Sequence, residues 1–187
     1  MKSVLWALSV AAFAVVAGCG GREPAPAGGK GGQEMGQIEM TSPAFTQGQA
    51  IPKRYSRYGD DVSPPLAWSG IPDGTKEIVL ICDDPDAPVG TWVHWVVYGI
   101  PATSAGMKEG VPKDATLADG AKQGKNSWGE IGYGGPQPPS GTHRYVFKVY
   151  AVDSPTGLTP GATKQQVIAA IDGHVLARGE LMGTYAR

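Results

Sequence analysis

Residues 83–95 read Asp83-Asp84-Pro85-Asp86-Ala87-Pro88-Val89-Gly90-Thr91-Trp92-Val93-His94-Trp95 and hold three carboxylates, two prolines and a histidine. An apolar run, Ile78 to Cys82, leads into this stretch, and another, Val93 to Ile100, leaves it. Two buried strands therefore end or begin where the polar groups are concentrated. A second stretch has the same form: Gly134-Gly135-Pro136-Gln137-Pro138-Pro139-Ser140-Gly141-Thr142-His143-Arg144-Tyr145 is a Gly/Pro-stiffened loop, then a histidine, then an apolar strand. Rigid loops at strand ends are where site residues concentrate, so the two loops are expected to meet and to place His94 and His143 in one pocket.

A carboxylate beside an imidazole favours the protonated ring, which then donates from both nitrogens. Asp84 or Asp86 could serve in this way. Together with N–H groups of Gly134 and Gly135 the result would be a small cationic cup suited to a phosphate, sulfate or carboxylate group. One of the two aspartates is expected to cap a turn instead, and Asp86 is assigned that part. Two histidines with one or two aspartates could also ligate zinc, but no His-x-x-x-His or Cys pair supports it and the ligands would come from distant loops. A hydrolase would need a nucleophile. Ser140 and Ser127 are available, and Asp84, His94 or His143 could complete a triad, but no Gly-x-Ser-x-Gly elbow is present.

The elements that must position these groups are mainly short strands. Ile38-Glu39-Met40-Thr41 alternates apolar and polar. Tyr55-Ser56-Arg57-Tyr58 interleaves aromatic and basic residues next to Asp60-Asp61 and reads as surface. Residues 61–68 form a proline-stiffened lead into a short strand ending at Trp68, and Pro72-Asp73-Gly74 is a turn signal. Lys76 to Cys82 is β-branched and apolar on both faces, as in a central strand. In Trp92 to Ile100, strict alternation puts Trp92, His94, Val96 and Tyr98 on one face and Val93, Trp95 and Val97 on the other. Residues 101–133 show no period and read as a long loop, with Trp128 and Tyr133 over the pocket or at its rim. His143 to Val152 is a strand with His143, Tyr145, Phe147 and Val149 on one face. Thr159-Pro160 or Thr163 could open a helix whose apolar positions are Val167, Ile168, Ile171 and Val175. Glu180 to Tyr185 forms a last short strand.

The chain has 187 residues with 28 glycines and 16 prolines, which favours many turns over a helical bundle. Its net charge of -1, without a basic run, disfavours nucleic acid as a partner. Cys19 and Cys82 are its two cysteines. Cys82, beside acids, is expected to be an inert core thiol.

Met1-Lys2 followed by the apolar run Val4 to Ala17 is too short for a membrane span, which needs ~20 residues, and suits a secretory signal. It ends in Val16-Ala17-Gly18-Cys19, which looks like a bacterial lipobox. That resemblance implies cleavage before Cys19, lipidation of Cys19, and an envelope location anchored to a membrane. Gly20 after the cysteine favours the outer membrane, facing the periplasm, in a Gram-negative cell. Residues 19–37 are a Gly/Pro-rich tether that cannot bury enough apolar surface to fold. Residues 38–187 form the folded domain.

Asp84-Pro85-Asp86-Ala87-Pro88, Trp92-Val93-His94-Trp95 and the whole of residues 134–145 resemble the phosphatidylethanolamine-binding protein family, and more narrowly its bacterial YbhB/YbcL-like, Raf kinase inhibitor-like branch. Supporting matches are residues 62–68, 173–177 and 179–185. The resemblance implies a mainly β fold, an antiparallel β-sandwich with peripheral helices including a C-terminal helix. It implies a non-catalytic pocket for anionic groups or phospholipid head groups, with no cofactor. The ligand-binding residues carried over are Asp84, Pro88, Trp92, His94, Gly135, Pro138, His143 and Tyr145, with Asp86 added from the motif. Docking to a protein partner, an envelope protease or a kinase, is the alternative use of such a pocket, and a hydrolase or metal enzyme using Asp84, His94 and His143 is the second. The loop between Pro88 and Trp92 is shorter than in eukaryotic members, so their kinase-binding surface does not carry over. Gln137 stands where bacterial relatives often have cysteine.

Overall fold

The computed structural model describes residues 35–187. The expected signal segment, Cys19 and most of the tether lie outside the described residues. In chain order the elements are β1 (Gly36–Gln37), β2 (Glu39–Thr41), a 3-10 turn (Lys53–Tyr55), β3 (Leu66–Ser69), β4 (Glu77–Asp84), β5 (Trp92–Pro101), β6 (Gly106–Met107), β7 (Lys122–Gln123), β8 (Thr142–Val152), α1 (Lys164–Ile171) and β9 (Val175–Ala186).

They form a six-stranded sheet in the order β1-β9-β8-β4-β5-β7 and a three-stranded sheet β2-β3-β6. All pairings are antiparallel except β1 with β9, so the larger sheet is mixed. β1 falls within the stretch read as tether. Its two residues pair with Ala177 and Arg178, because a short Gly-containing segment can still supply backbone hydrogen bonds to a sheet edge without burying a side chain of its own.

β4 explains the layering. Every one of its residues is buried. Ile78, Leu80 and Cys82 join Met40, Leu66, Trp68 and Met107 of the small sheet in one core. Val79 and Ile81 face the other way, towards Val167 and Ile171 of α1. A strand covered on both faces needs apolar residues at successive positions, which is the pattern of residues 78–82. α1 begins at Thr163, where a capping box satisfies the first backbone N–H groups, with the Gln166 side chain returning the bond. Thr163 is therefore the cap rather than Thr159.

Two expectations need correction. The helix is not C-terminal: the chain ends in β9, a strand of 12 residues that begins at Val175. Val175 thus belongs to the strand, and Gly173 at φ 75 makes the reversal between the two. The alternation in β5 is also interrupted. Cys82 pairs with Trp95 and Asp83 with Val93, so a β-bulge falls at His94. Val93 joins Val96 and Tyr98 on the helix side, whereas Trp95 and Val97 face the small sheet. His94 packs against Tyr145 of that same sandwich core. One extra residue in β5 re-aims the histidine, a known use of bulges near sites.

Candidate functional site

The two Gly/Pro loops meet at the ends of β4, β5 and β8. His143 Nδ1 lies 2.7 Å from Asp84 Oδ2. The other Asp84 oxygen accepts the Asp86 N–H at 2.8 Å. Asp84 thus both caps the turn and holds a histidine, which reverses the part assigned to Asp86. Asp86 instead takes the Arg144 N–H and guanidinium. The Arg144 hydrogen bonds pull the Asp86 carboxyl down to about 2, although the pair is largely solvent-facing.

His94 is clamped from two sides. Gly134 N donates to the His94 carbonyl at 2.9 Å. The ring Nδ1 is 2.6 Å from the Gly134 carbonyl, which can only accept, so Nδ1 carries the proton. Burial pushes the imidazole below its ordinary value, the Gly134 carbonyl and Asp84 opposing that in part and Arg57 adding to it. In the neutral ring Nε2 is therefore an acceptor. The ring stands edge-on to Tyr145 at 5.0 Å and to Trp128 at 5.1 Å, and Trp128 also stands edge-on to Trp92 at 5.3 Å.

Two donors in this cluster are left without partners. Trp92 Nε1 and Tyr145 Oη are buried and make no hydrogen bond. Burial and the Asp84 charge push the Tyr145 phenol far above its usual value, and the Gln137 N–H offsets part of this without reaching hydrogen-bond geometry. Tyr145 keeps its proton at any ordinary pH. An orphaned buried donor costs about 1–3 kcal/mol. The two lie together beside Asp84 (3% exposed), His94 (2%) and His143 (7%).

The site differs from the expected cup in three ways. Neither glycine offers its N–H to a ligand: Gly134 N–H binds the His94 carbonyl and Gly135 N–H binds Asp61 Oδ1 at 2.7 Å. Pro138 is buried, and its carbonyl accepts the Tyr58 hydroxyl, while Pro88 sits exposed on the loop tip beside Val89. The inner residues of the cluster, Asp84, His94, His143 and Tyr145, are also buried. Two clefts, of about 680 and 380 Å³, lie elsewhere, one lined by Lys148, Tyr150, Arg178 and Glu180, the other along β2. Of the candidate residues, Asp84, Trp92, His94, His143 and Tyr145 come together, Asp86, Gly135 and Pro138 brace the surrounding loops, and Pro88 lies apart on an exposed loop tip.

The segment read as surface turns out to roof the site. Tyr55 is buried and its carbonyl accepts the Tyr133 hydroxyl at 2.8 Å. Arg57 N donates to the Pro136 carbonyl at 3.1 Å, and its guanidinium lies 4.0 Å over the Trp128 ring. Asp61 is the one non-glycine residue with positive φ (54) among the described residues. It holds Gly135 with one oxygen and Lys113 with the other. An aromatic-basic cluster beside aspartates was the available signal, but only the fold shows which loop it meets.

Of the two serines weighed, Ser127 Oγ accepts the Val93 N–H and Ser140 is exposed in its turn. No group of three or more His, Cys, Asp or Glu is arranged to hold a metal among the described residues. Cys82 is a buried free thiol, pushed well up by burial.

The fold is a two-sheet β structure with a histidine from each of two strand ends, one of them bonded to an aspartate, and sequence comparison gives its family. The family model for phosphatidylethanolamine-binding protein matches residues 41–186, and the chain belongs to that family. A UPF0098 protein of Methanothermobacter thermautotrophicus is 48% identical over 150 residues, covering 80% of this chain and 99% of that protein. Among solved structures, a phosphatidylethanolamine-binding protein homologue of Chlamydia trachomatis is 44% identical with a TM-score of 0.74, covering 81% of this chain and 98% of its own. E. coli YbcL, described as a member of the mammalian family, is 32% identical with the same TM-score, covering 82% and 99%.

Proposed function

We propose that this protein is a non-catalytic binding module that takes a phosphate-like or carboxylate group at the Asp84–His143, His94, Trp92 and Tyr145 cluster. The observation that carries the reading is the pair of buried donors without partners, Trp92 Nε1 and Tyr145 Oη, beside that cluster. Anion oxygens would satisfy both. His143, turned by Asp84, would donate from Nε2 when it carries both protons. The acceptor at His94 Nε2 favours a ligand that also brings a proton, such as a hydrogen phosphate. Binding of this kind needs no nucleophile.

Titration with inorganic phosphate and phosphoethanolamine, followed by NMR at the His94 and His143 rings and the Trp92 indole N–H, tests this. Saturable shifts at all three are expected. Unmoved resonances at millimolar ligand would overturn it.

We also propose that the domain works at the bacterial envelope, tethered through a lipidated Cys19, on the sequence of residues 1–19. Fatty-acid labelling should disappear in Cys19→Ala, and equal labelling of that variant would refute the anchor.

A further inference from the structure

The anion site proposed above lacks a fixed positive charge. Both glycine N–H groups are engaged, and His94 is a buried ring whose Nδ1–H is tied to a carbonyl. The guanidinium of Arg57 is the cation stacked on the aromatic roof. It lies over Trp128, whose ring contacts both His94 and Trp92. Its own bonding is incomplete. Arg57 Nε is buried without a hydrogen bond, and Asp61 Oδ2, at 3.8 Å, is too far to supply one. Its NH2 group is held by Glu130, whose side chain is 48% exposed.

We propose that Arg57 is a binding and gating residue of the site: on ligand entry its guanidinium exchanges Glu130 for an oxygen of the bound oxyanion. This inference rests on the anion-binding reading and adds to it the source of charge and the way in. The main chain of Arg57 is fixed by its N–H bond to Pro136, so only the side chain needs to swing. An exposed carboxylate is a weak partner because water competes for it. An oxyanion partly removed from water is a stronger one, and the planar fork suits two of its oxygens. Trp128 is held by its contacts with Arg57 and by a turn in which Asn126 Oδ1 accepts the Trp128 and Glu130 N–H groups. When Arg57 moves, the indole loses its stacked cation and can tilt off His94, widening access to the buried donors beneath it. A tetrahedral oxyanion, with oxygens in several directions, can reach the inner donors and Arg57 together. The ligand class is therefore phosphate-like.

The test uses calorimetry with inorganic phosphate on the full chain, with tryptophan fluorescence alongside. Arg57→Gln is expected to weaken phosphate by about tenfold and to flatten the salt dependence. Glu130→Gln, a change at an exposed residue, is expected to tighten phosphate several-fold, because the competing carboxylate is gone. Wild type should show a ligand-induced fluorescence change, and Trp128→Phe should remove most of it. If wild type binds and Arg57→Gln binds equally well, the gate is refuted while the anion-binding reading stands. If Arg57→Gln weakens binding but Glu130→Gln does not tighten it, the exchange is refuted and Arg57 is a structural strut. If wild type shows no binding that His143→Ala abolishes, the underlying reading falls first. Matching melting curves for Glu130→Gln and wild type keep the result independent of whether Arg57→Gln folds.

Discussion

His143 Nδ1 lies 2.7 Å from Asp84 Oδ2 while the second oxygen of that carboxylate holds the Asp86 N–H. One buried side chain thus joins the end of β4 to the start of β8 and shapes the loop between β4 and β5. Asp84→Asn separates the two tasks. The amide oxygen can still accept the Asp86 N–H, so the turn persists, but the charge facing His143 is lost. A hydrogen bond to a charged group contributes about 1.5–3 kcal/mol, and a loss of about 2 kcal/mol is expected from urea unfolding. The His143 ring resonances should shift, and those of the exposed His174 should not.

Asp86 and Arg144 give the acid limb. The Arg144 hydrogen bonds lower the folded Asp86 carboxyl to about 2, against about 3.9 in an unfolded chain. A depressed carboxyl stabilises the fold above the unfolded value, and that contribution is lost as pH falls from about 4 through about 2. Asp86→Asn should melt below wild type at pH 7. The gap between the two melting temperatures should close by pH 2, and a gap that does not change with pH would show that the ion pair is irrelevant to stability.

His94 gives a second contribution that is lost as pH falls, nearer neutrality. Burial lowers its folded value below the unfolded one of about 6.5. The unfolded chain then binds the proton more readily, so the stabilising contribution is present above pH 6.5 and declines as pH falls through the lowered folded value. His94→Phe keeps an aromatic ring against Tyr145 and Trp128 but cannot protonate and leaves the Gly134 carbonyl without its partner. It should be about 2 kcal/mol less stable at pH 7. The difference should narrow between pH 6.5 and pH 5, as followed by urea unfolding.

The β4, β5 and β8 strands were legible because a strand buried on one or both faces must carry its pattern in the side chains. The same holds for the meeting of the two Gly/Pro loops, since strand mouths on adjacent antiparallel strands have few places to go. The rest depended on long-range partners. The bulge at His94 has no signature within β5 and appears only in the pairing of Cys82 with Trp95 and Asp83 with Val93. The loop 101–133 is ordered by Gln123, a fully buried residue whose amide accepts the Trp95 indole N–H and donates to the carbonyls of Pro112 and Asp114. A glutamine carries no local signal for that role. The length of β9 was hidden for a similar reason: its exposed Arg178 and Glu180 pair across β8 with Tyr150 and Lys148 instead of following an apolar rhythm.

Gly135 separates a binding role from a packing role. A Cβ at this position would lie 2.2 Å from the Tyr55 carbonyl and within 3 Å of the Ser56 backbone, so the 53–61 segment rests on this glycine. Its N–H is already bound to Asp61. Gly135→Ala must therefore push that segment away, since neither side of the contact is a flexible chain end. Overpacking of this kind costs about 3 kcal/mol. The expected result is a lower urea midpoint together with loss of the Arg57–Trp128 contact, seen as a red-shifted tryptophan emission. A variant with unchanged stability and fluorescence, and with phosphate affinity alone reduced, would return Gly135 to the ligand-contacting role that its place in the motif suggested.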